Sequence, residues 1–128
     1  MSIEKPEIEK PEVDFPGGAP PTDLEVTDIW EGDGAVAKAG DQVKVHYVGV
    51  AYSTGEEFDA SWNSGEPLEF QLGAGRVIAG WDQGVQGMKV GGRRQLIIPP
   101  DLAYGDSGAA GAIAPGETLI FVCDLVST

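Results

Sequence analysis

The clearest signal in this chain is alternation. Over residues 42–50, Val43, Val45 and Tyr47 share one face and Lys44, His46 and Val48 the other, the period of a strand packed on one side. Residues 68–72 (LEFQL) alternate in the same way, and residues 118–126 place Leu119, Phe121, Cys123 and Leu125 on a single face. Residues 24–30 (LEVTDIW) are rich in β-forming side chains and run into the turn signal Gly32-Asp33-Gly34. A short strand is expected around Glu57-Phe58-Asp59, after the turn Ser53-Thr54-Gly55. Another is expected over residues 93–98, where Pro99-Pro100 stops it.

Only one stretch carries helical spacing. Ile78, Trp81, Val85 and Met88 fall on one face of a short helix. Gly80, Gly84 and Gly87 weaken that helix by about 1 kcal/mol each relative to alanine, so tertiary packing has to hold it. Five or six strands and one helix predict an α+β fold, an antiparallel sheet wrapped over a single amphipathic helix.

Residues 1–22 lack this patterning. The near-repeat EKPEI-EKPEV is followed by DFPGGAPP, too poor in apolar side chains to offset the entropy of ordering it. The expectation is a flexible, acidic, proline-rich arm over 1–22 ahead of one domain over 23–128. Phe15 is the one residue there that looks wasted on solvent, and a docking peptide for a partner is the functional alternative.

Charge narrows the function. The 128 residues hold 8 Lys and Arg against 21 Asp and Glu, a formal net charge of −13. Binding nucleic acid or an anionic membrane surface needs clustered basic residues, so neither is expected as a partner. Clients with basic residues flanking their prolines should be tolerated better than acidic ones. No apolar run approaches the ~18 residues of a membrane span, and MSIEKPEIEK shows no apolar signal region, so a soluble cytoplasmic monomer is expected. A single cysteine excludes an internal disulfide.

Most catalytic chemistry is also missing from the pattern. His46 sits in mid-strand and Cys123 in an apolar strand, so a nucleophile and its base are not brought together by any motif. A zinc set, a calcium loop and a phosphate-binding loop are all absent, and Gly73 and Gly75 lack the third glycine of a dinucleotide fingerprint. Enzymatic chemistry, if present, is expected to run with no metal, no cofactor and no strong nucleophile. What remains is a supply of aromatic and aliphatic residues near turns: Tyr47, Phe58, Val77, Ile78, Trp81, Tyr104, Ile113 and Phe121. They can be core, or they can line an apolar site. Tyr104, in Pro99-Pro100-Asp101-Leu102-Ala103-Tyr104-Gly105, favours the second reading, because a tyrosine there offers a hydroxyl at a cavity rim.

Five strings occur in order: Val45-His46-Tyr47-Val48-Gly49, Phe58-Asp59-Ala60-Ser61, Val77-Ile78-Ala79-Gly80-Trp81, Gly87-Met88-Lys89-Val90-Gly91 and Ala103-Tyr104-Gly105. Singly each is weak. Together, at these spacings and over about residues 24–127, they make the chain resemble the FKBP family of peptidyl-prolyl cis-trans isomerases. The resemblance implies a half-open antiparallel sheet of five to six strands wrapped around the helix, with an apolar pocket between them. It implies catalysed rotation about X-Pro bonds in peptides and partly folded proteins, and binding of macrolides such as rapamycin and tacrolimus. The catalytic residues it implies are Asp59, Tyr104, Ile78 through its backbone N–H, Trp81 as the pocket floor, and Phe58. Tyr47, Leu68, Val77, Ile113 and Phe121 would complete the substrate- and drug-binding walls.

The chain departs from the family pattern at three places. Ser64 stands where many members carry an arginine that partners the pocket aspartate, so Asp59 is expected to be held by the Tyr47 hydroxyl alone. Leu68 stands where phenylalanine is frequent. Ala109 and Ala112 replace bulkier loop residues, which implies a shallower, more mobile rim and weaker macrolide affinity. The rival to the enzyme is a binding module or chaperone that holds proline-containing segments in the same pocket without useful turnover.

Overall fold

The computed structural model describes residues 10–13, 18–109 and 113–128. Six strands appear in chain order as β1 (Glu25–Trp30), β2 (Gln42–Ala51), β3 (Glu57–Ala60), β4 (Leu68–Gln71), β5 (Arg93–Ile98) and β6 (Leu119–Ser127), with one helix, α1 (Ala79–Gly84), between β4 and β5. They form a single antiparallel sheet in the order β1-β5-β6-β2-β3, and β4 pairs with the start of β2. The strands fall where alternation predicts them. No helix among the described residues is long and apolar enough to cross a membrane.

The sheet curls around α1. Its concave face carries Val43, Val45, Phe70, Leu96, Ile98, Leu119, Phe121, Cys123 and Leu125, all packed with Trp81, Val85 and Met88 in one buried cluster. The helix is shorter than its spacing predicts. It ends at Gly84, so Val85 and Met88 lie beyond it, and Gly87 turns the chain away with a φ of +89°. The helical glycines have a packing role. A Cβ on Gly80 would lie 2.5 Å from the Ile98 side chain, and one on Gly84 would lie 2.6 Å from that of Leu96. Their absence lets α1 sit directly on β5. Arg94 then holds the end of the helix, its Nη1 donating to the carbonyls of Gly84 (2.9 Å) and Gln86 (3.1 Å) while its Nε pairs with Asp28 (2.6 Å).

The convex face is covered as well. Val48, grouped with Lys44 and His46 in the sequence, is only 2% exposed and packs with Val50, Tyr52, Ala60 and Ile120. Its cover comes from segments without periodicity, the short 3-10 turn Ser61–Asn63 and part of the proline-rich N-terminal region. Val13 packs on this cluster beside Trp62 and Ile97. Lys10 pairs with Glu57 (2.8 Å) and donates to Asn63 (3.1 Å). The Tyr52 hydroxyl donates to the Ala19 carbonyl at 3.4 Å. These described residues of the arm therefore lie against the domain; Phe15 is outside the described residues.

Polar groups complete the convex face. Arg93 grips Asp124 through two hydrogen bonds of 2.6 and 3.1 Å, with its guanidinium 4.4 Å from the Trp30 ring. Burial pushes the Asp124 carboxyl up, against the pull of Arg93. His46 stacks on Trp62 with ring centres 4.1 Å apart, and its Nδ1 lies 2.8 Å from Ser61 Oγ. The same oxygen accepts the Tyr47 N–H at 2.7 Å. Both His46 and Cys123 are thus structural, and complete burial pushes the Cys123 thiol far up.

Candidate active site

Between α1 and the concave face the packing stops short, leaving a cavity of about 190 Å³. Local features place each wall. In β3 the register slips: Asp59 pairs with Gly49 and Glu57 with Val50, so Phe58 is an extra residue in the ladder. A bulge of this kind re-aims side chains. Here it lets the consecutive residues Phe58 and Asp59 both line the cavity, which a regular strand forbids. Gly49 makes the room, since a Cβ there would lie 2.6 Å from both the Phe58 and the Phe121 rings.

The approach to α1 is fixed by one carboxylate. Asp82, in the first turn, accepts the N–H groups of Gly73 (2.9 Å) and Gly75 (3.0 Å). Both glycines have positive φ, +77° and +73°, which explains the pair that no nucleotide motif accounts for. The turn delivers Val77 and Ile78 to the cavity wall. Ile78 is the N-cap of α1, and its N–H makes no hydrogen bond among the described residues.

The floor is Trp81, 3% exposed, with its Nε1 unpartnered among the described residues. Tyr47 meets its ring edge-on at 4.9 Å and Phe121 at 5.2 Å, and Phe58 meets Phe121 at 5.5 Å. Edge-to-face aromatic contacts are individually favourable, but rigid rings cannot close every gap between them. Tyr104 stands at the rim, 41% exposed.

Within the aromatic rings lies a hydrogen-bonded polar pair. The Tyr47 hydroxyl donates to Asp59 Oδ2 at 2.6 Å. Burial first, and the bond to Asp59 second, push the Tyr47 phenol well above its ordinary value, so it stays protonated and keeps donating. Ser64 does not reach the pair. Its hydroxyl donates to the Ser61 carbonyl at 2.9 Å, and a second cavity opens beside Asp59, bordered by Tyr47, Ser64, Pro67 and Leu68.

The cavity brings together Tyr47, Phe58, Asp59, Leu68, Val77, Ile78, Trp81, Tyr104 and Phe121, all expected from the sequence. Ile113 is the exception. Its backbone pairs in both directions with Ala109 (2.8 and 2.9 Å), and its side chain is buried in the core cluster and is not among the lining residues. Ala112 lies outside the described residues. Sequence reasoning missed Arg76, which also lines the cavity. Its one signal is its position between Gly75 and Val77, at the mouth of the pocket-forming segment.

Comparison with known proteins agrees with this geometry. Residues 34–126 match the family described as FKBP-type peptidyl-prolyl cis-trans isomerase. An FK506-binding protein of Streptomyces anulatus is 80% identical over 128 residues, covering 99% of each chain. A probable FK506-binding protein of Corynebacterium glutamicum is 52% identical over 125 residues, covering 98% of this chain and 99% of its own. Among solved structures, AtFKBP13 superposes with a TM-score of 0.76 at 41% identity, covering 82% of this chain and 92% of that one. A peptidyl-prolyl cis-trans isomerase from Pseudomonas syringae gives a TM-score of 0.71 at 36% identity, over 81% of this chain and 74% of that one. A six-stranded sheet curled over one short helix is therefore shared with proteins of known kind, and this chain belongs to the FKBP-type peptidyl-prolyl cis-trans isomerases.

Proposed function

We propose that the X-Pro bond is turned in the cavity over Trp81, with Asp59, Tyr104, the Ile78 N–H, Trp81 and Phe58 as its catalytic groups. Tyr47, Leu68, Val77 and Phe121 complete the walls that bind the proline. The supporting observation is the cavity's composition: interlocked aromatic rings around a single carboxylate held by a phenol at 2.6 Å. No bond is made or broken in this reaction, so no nucleophile is required. The barrier of ~18–20 kcal/mol comes from losing amide resonance. A twisted amide has less charge separation than a planar one, so an apolar enclosure disfavours the planar form and lowers the relative cost of twisting. The Tyr104 hydroxyl and the Ile78 N–H position the substrate carbonyls, and Asp59, fixed by Tyr47, orients the reacting amide against the floor.

Substrates on this reading are proline-containing peptides and partly folded proteins. Macrolides such as rapamycin and tacrolimus occupy the same cavity, but weakly for this family. Leu68, alanine at 109 and an Ile113 turned into the core leave less surface to grip a large ring. A nanomolar dissociation constant would overturn that expectation.

The test is catalysed cis/trans exchange of a Leu-Pro tetrapeptide with rapamycin as competitor. Acceleration that rapamycin abolishes supports both the site and its occupant. Acceleration that saturating, bound rapamycin leaves untouched moves catalysis elsewhere. Rapamycin binding without any acceleration makes the pocket a holding site only.

A further inference from the structure

Arg76 has no part in the chemistry above. It lines the mouth of the cavity and also a neighbouring groove of about 460 Å³ that runs past Leu68, Val77 and Glu69. The other two arginines are engaged, Arg93 by Asp124 and Arg94 by Asp28. The Arg76 side chain makes no ion pair or hydrogen bond among the described residues, and it is exposed. Nearby carboxylates already have partners. Asp82 accepts the Gly73 and Gly75 amides, and Glu69 accepts from Gln42 Nε2 at 3.3 Å. The turn that precedes Arg76 is pinned, so its guanidinium is offered from a fixed backbone.

We propose that Arg76 is a specificity-determining residue of this isomerase. It selects X-Pro substrates carrying an Asp or Glu side chain within about two residues of the proline, the reach of an arginine along an extended chain. The selected residue lies on the segment that leaves the cavity between Leu68 and Val77. A guanidinium recognises a carboxylate through paired, directional hydrogen bonds, a short-range preference. It therefore opposes the general bias of a chain with net charge −13 toward basic clients. This inference rests on the cavity being the catalytic site.

The experiment compares peptides built on one Leu-Pro core, with Glu, Gln or Lys placed on either side, against the wild type and the variants Arg76→Gln, Arg76→Glu and Arg76→Lys. The readout is the ratio of kcat/KM for the Glu peptide to that for its Gln isostere within each protein, so overall activity cancels. On one flank only, the ratio should fall about threefold in Arg76→Gln, the size of an exposed ion pair. In Arg76→Glu it should fall on the order of tenfold, with the Lys peptide now preferred. Arg76→Lys should retain only part of it, since an ammonium keeps the charge and loses the paired hydrogen bonds, with the change residing in KM and shrinking in high salt. Equal ratios in all four proteins would overturn the proposal. If the wild type does not accelerate even the Gln peptide, the catalytic reading of the cavity fails instead. Dissociation constants of the same peptides, measured by NMR titration, then decide the role of Arg76 alone.

Discussion

On the concave face, the rings of Tyr47, Phe58, Phe70, Trp81 and Phe121 meet at centroid distances from 4.9 to 6.1 Å and leave about 190 Å³ unfilled. On the convex face of the same sheet, Val48, Val50, Ala60 and Ile120 close up beneath Trp62 and Val13, and Arg93 and Asp124 neutralise each other at 2.6 Å. Aliphatic side chains interdigitate to near-crystalline density. Flat rings pinned edge-on cannot, and the gap they leave survives because its walls are anchored by the bulge at Phe58 and the glycines of α1. On the reading proposed above, substrate meets the face that packs imperfectly, and the other face contributes stability alone.

The largest test of this division is Trp81→Ala. Removing the floor should destabilise the protein by about 3–5 kcal/mol in chemical denaturation. In protein that remains folded, kcat/KM should drop on the order of 100-fold, since the substrate loses its positioning surface. Turnover equal to wild type would sink the account of the concave face.

Arg93→Met probes the opposite side. Leaving Asp124 buried without its partner should cost about 3–5 kcal/mol, while kcat/KM of the folded protein stays at the wild-type value. A matching loss of turnover would show that the two faces are coupled. Gly84→Ala separates propensity from packing. Alanine improves an isolated helix by about 1 kcal/mol. Here its Cβ would meet Leu96 at 2.6 Å, so net destabilisation of about 1–3 kcal/mol is expected in thermal melts. Stabilisation would mean that α1 is free to lift off β5.

The smallest effect concerns the segment seated on the convex face. The Lys10 bond, then that of Asn63, holds the Glu57 carboxyl below its ordinary value of 4.5. A lowered folded pKa means the contribution is complete above that ordinary value and is lost as pH falls through the lower, folded one. The pair is largely solvated, so it is worth no more than about 1 kcal/mol. NMR shifts of the Val13 methyls should be constant at neutral pH and move only in acid. Lys10→Ala should return the Glu57 titration toward 4.5.

Much of this arrangement was legible in the chain. Seven of the nine expected cavity residues lie in five strings read in order, Leu68 and Phe121 falling outside them. The strands β2, β4 and β6 announce themselves because one face of each is largely apolar. The bulge does not, because Glu57-Phe58-Asp59-Ala60 alternates like any regular strand, and only Gly49 across the ladder hints at crowding. Val48 lies on the face that alternation gives it, but its burial was not legible, since its cover comes from aperiodic segments. Ile113 packs in the core cluster with Trp81 and Phe121 and is not among the residues that line the cavity. Arg76 escaped notice as an exposed charge in a turn, a type of residue that carries no periodic signal.

The seating of α1 on β5 has a dynamic consequence. A single layer of side chains, those of Leu96 and Ile98, separates the helix backbone from the strand. Regions locked this closely open in one cooperative unit rather than piecewise. The amide hydrogens of α1 are thus expected to exchange together with those of β5 rather than ahead of them, which leaves the proposed pocket a floor that does not breathe on its own.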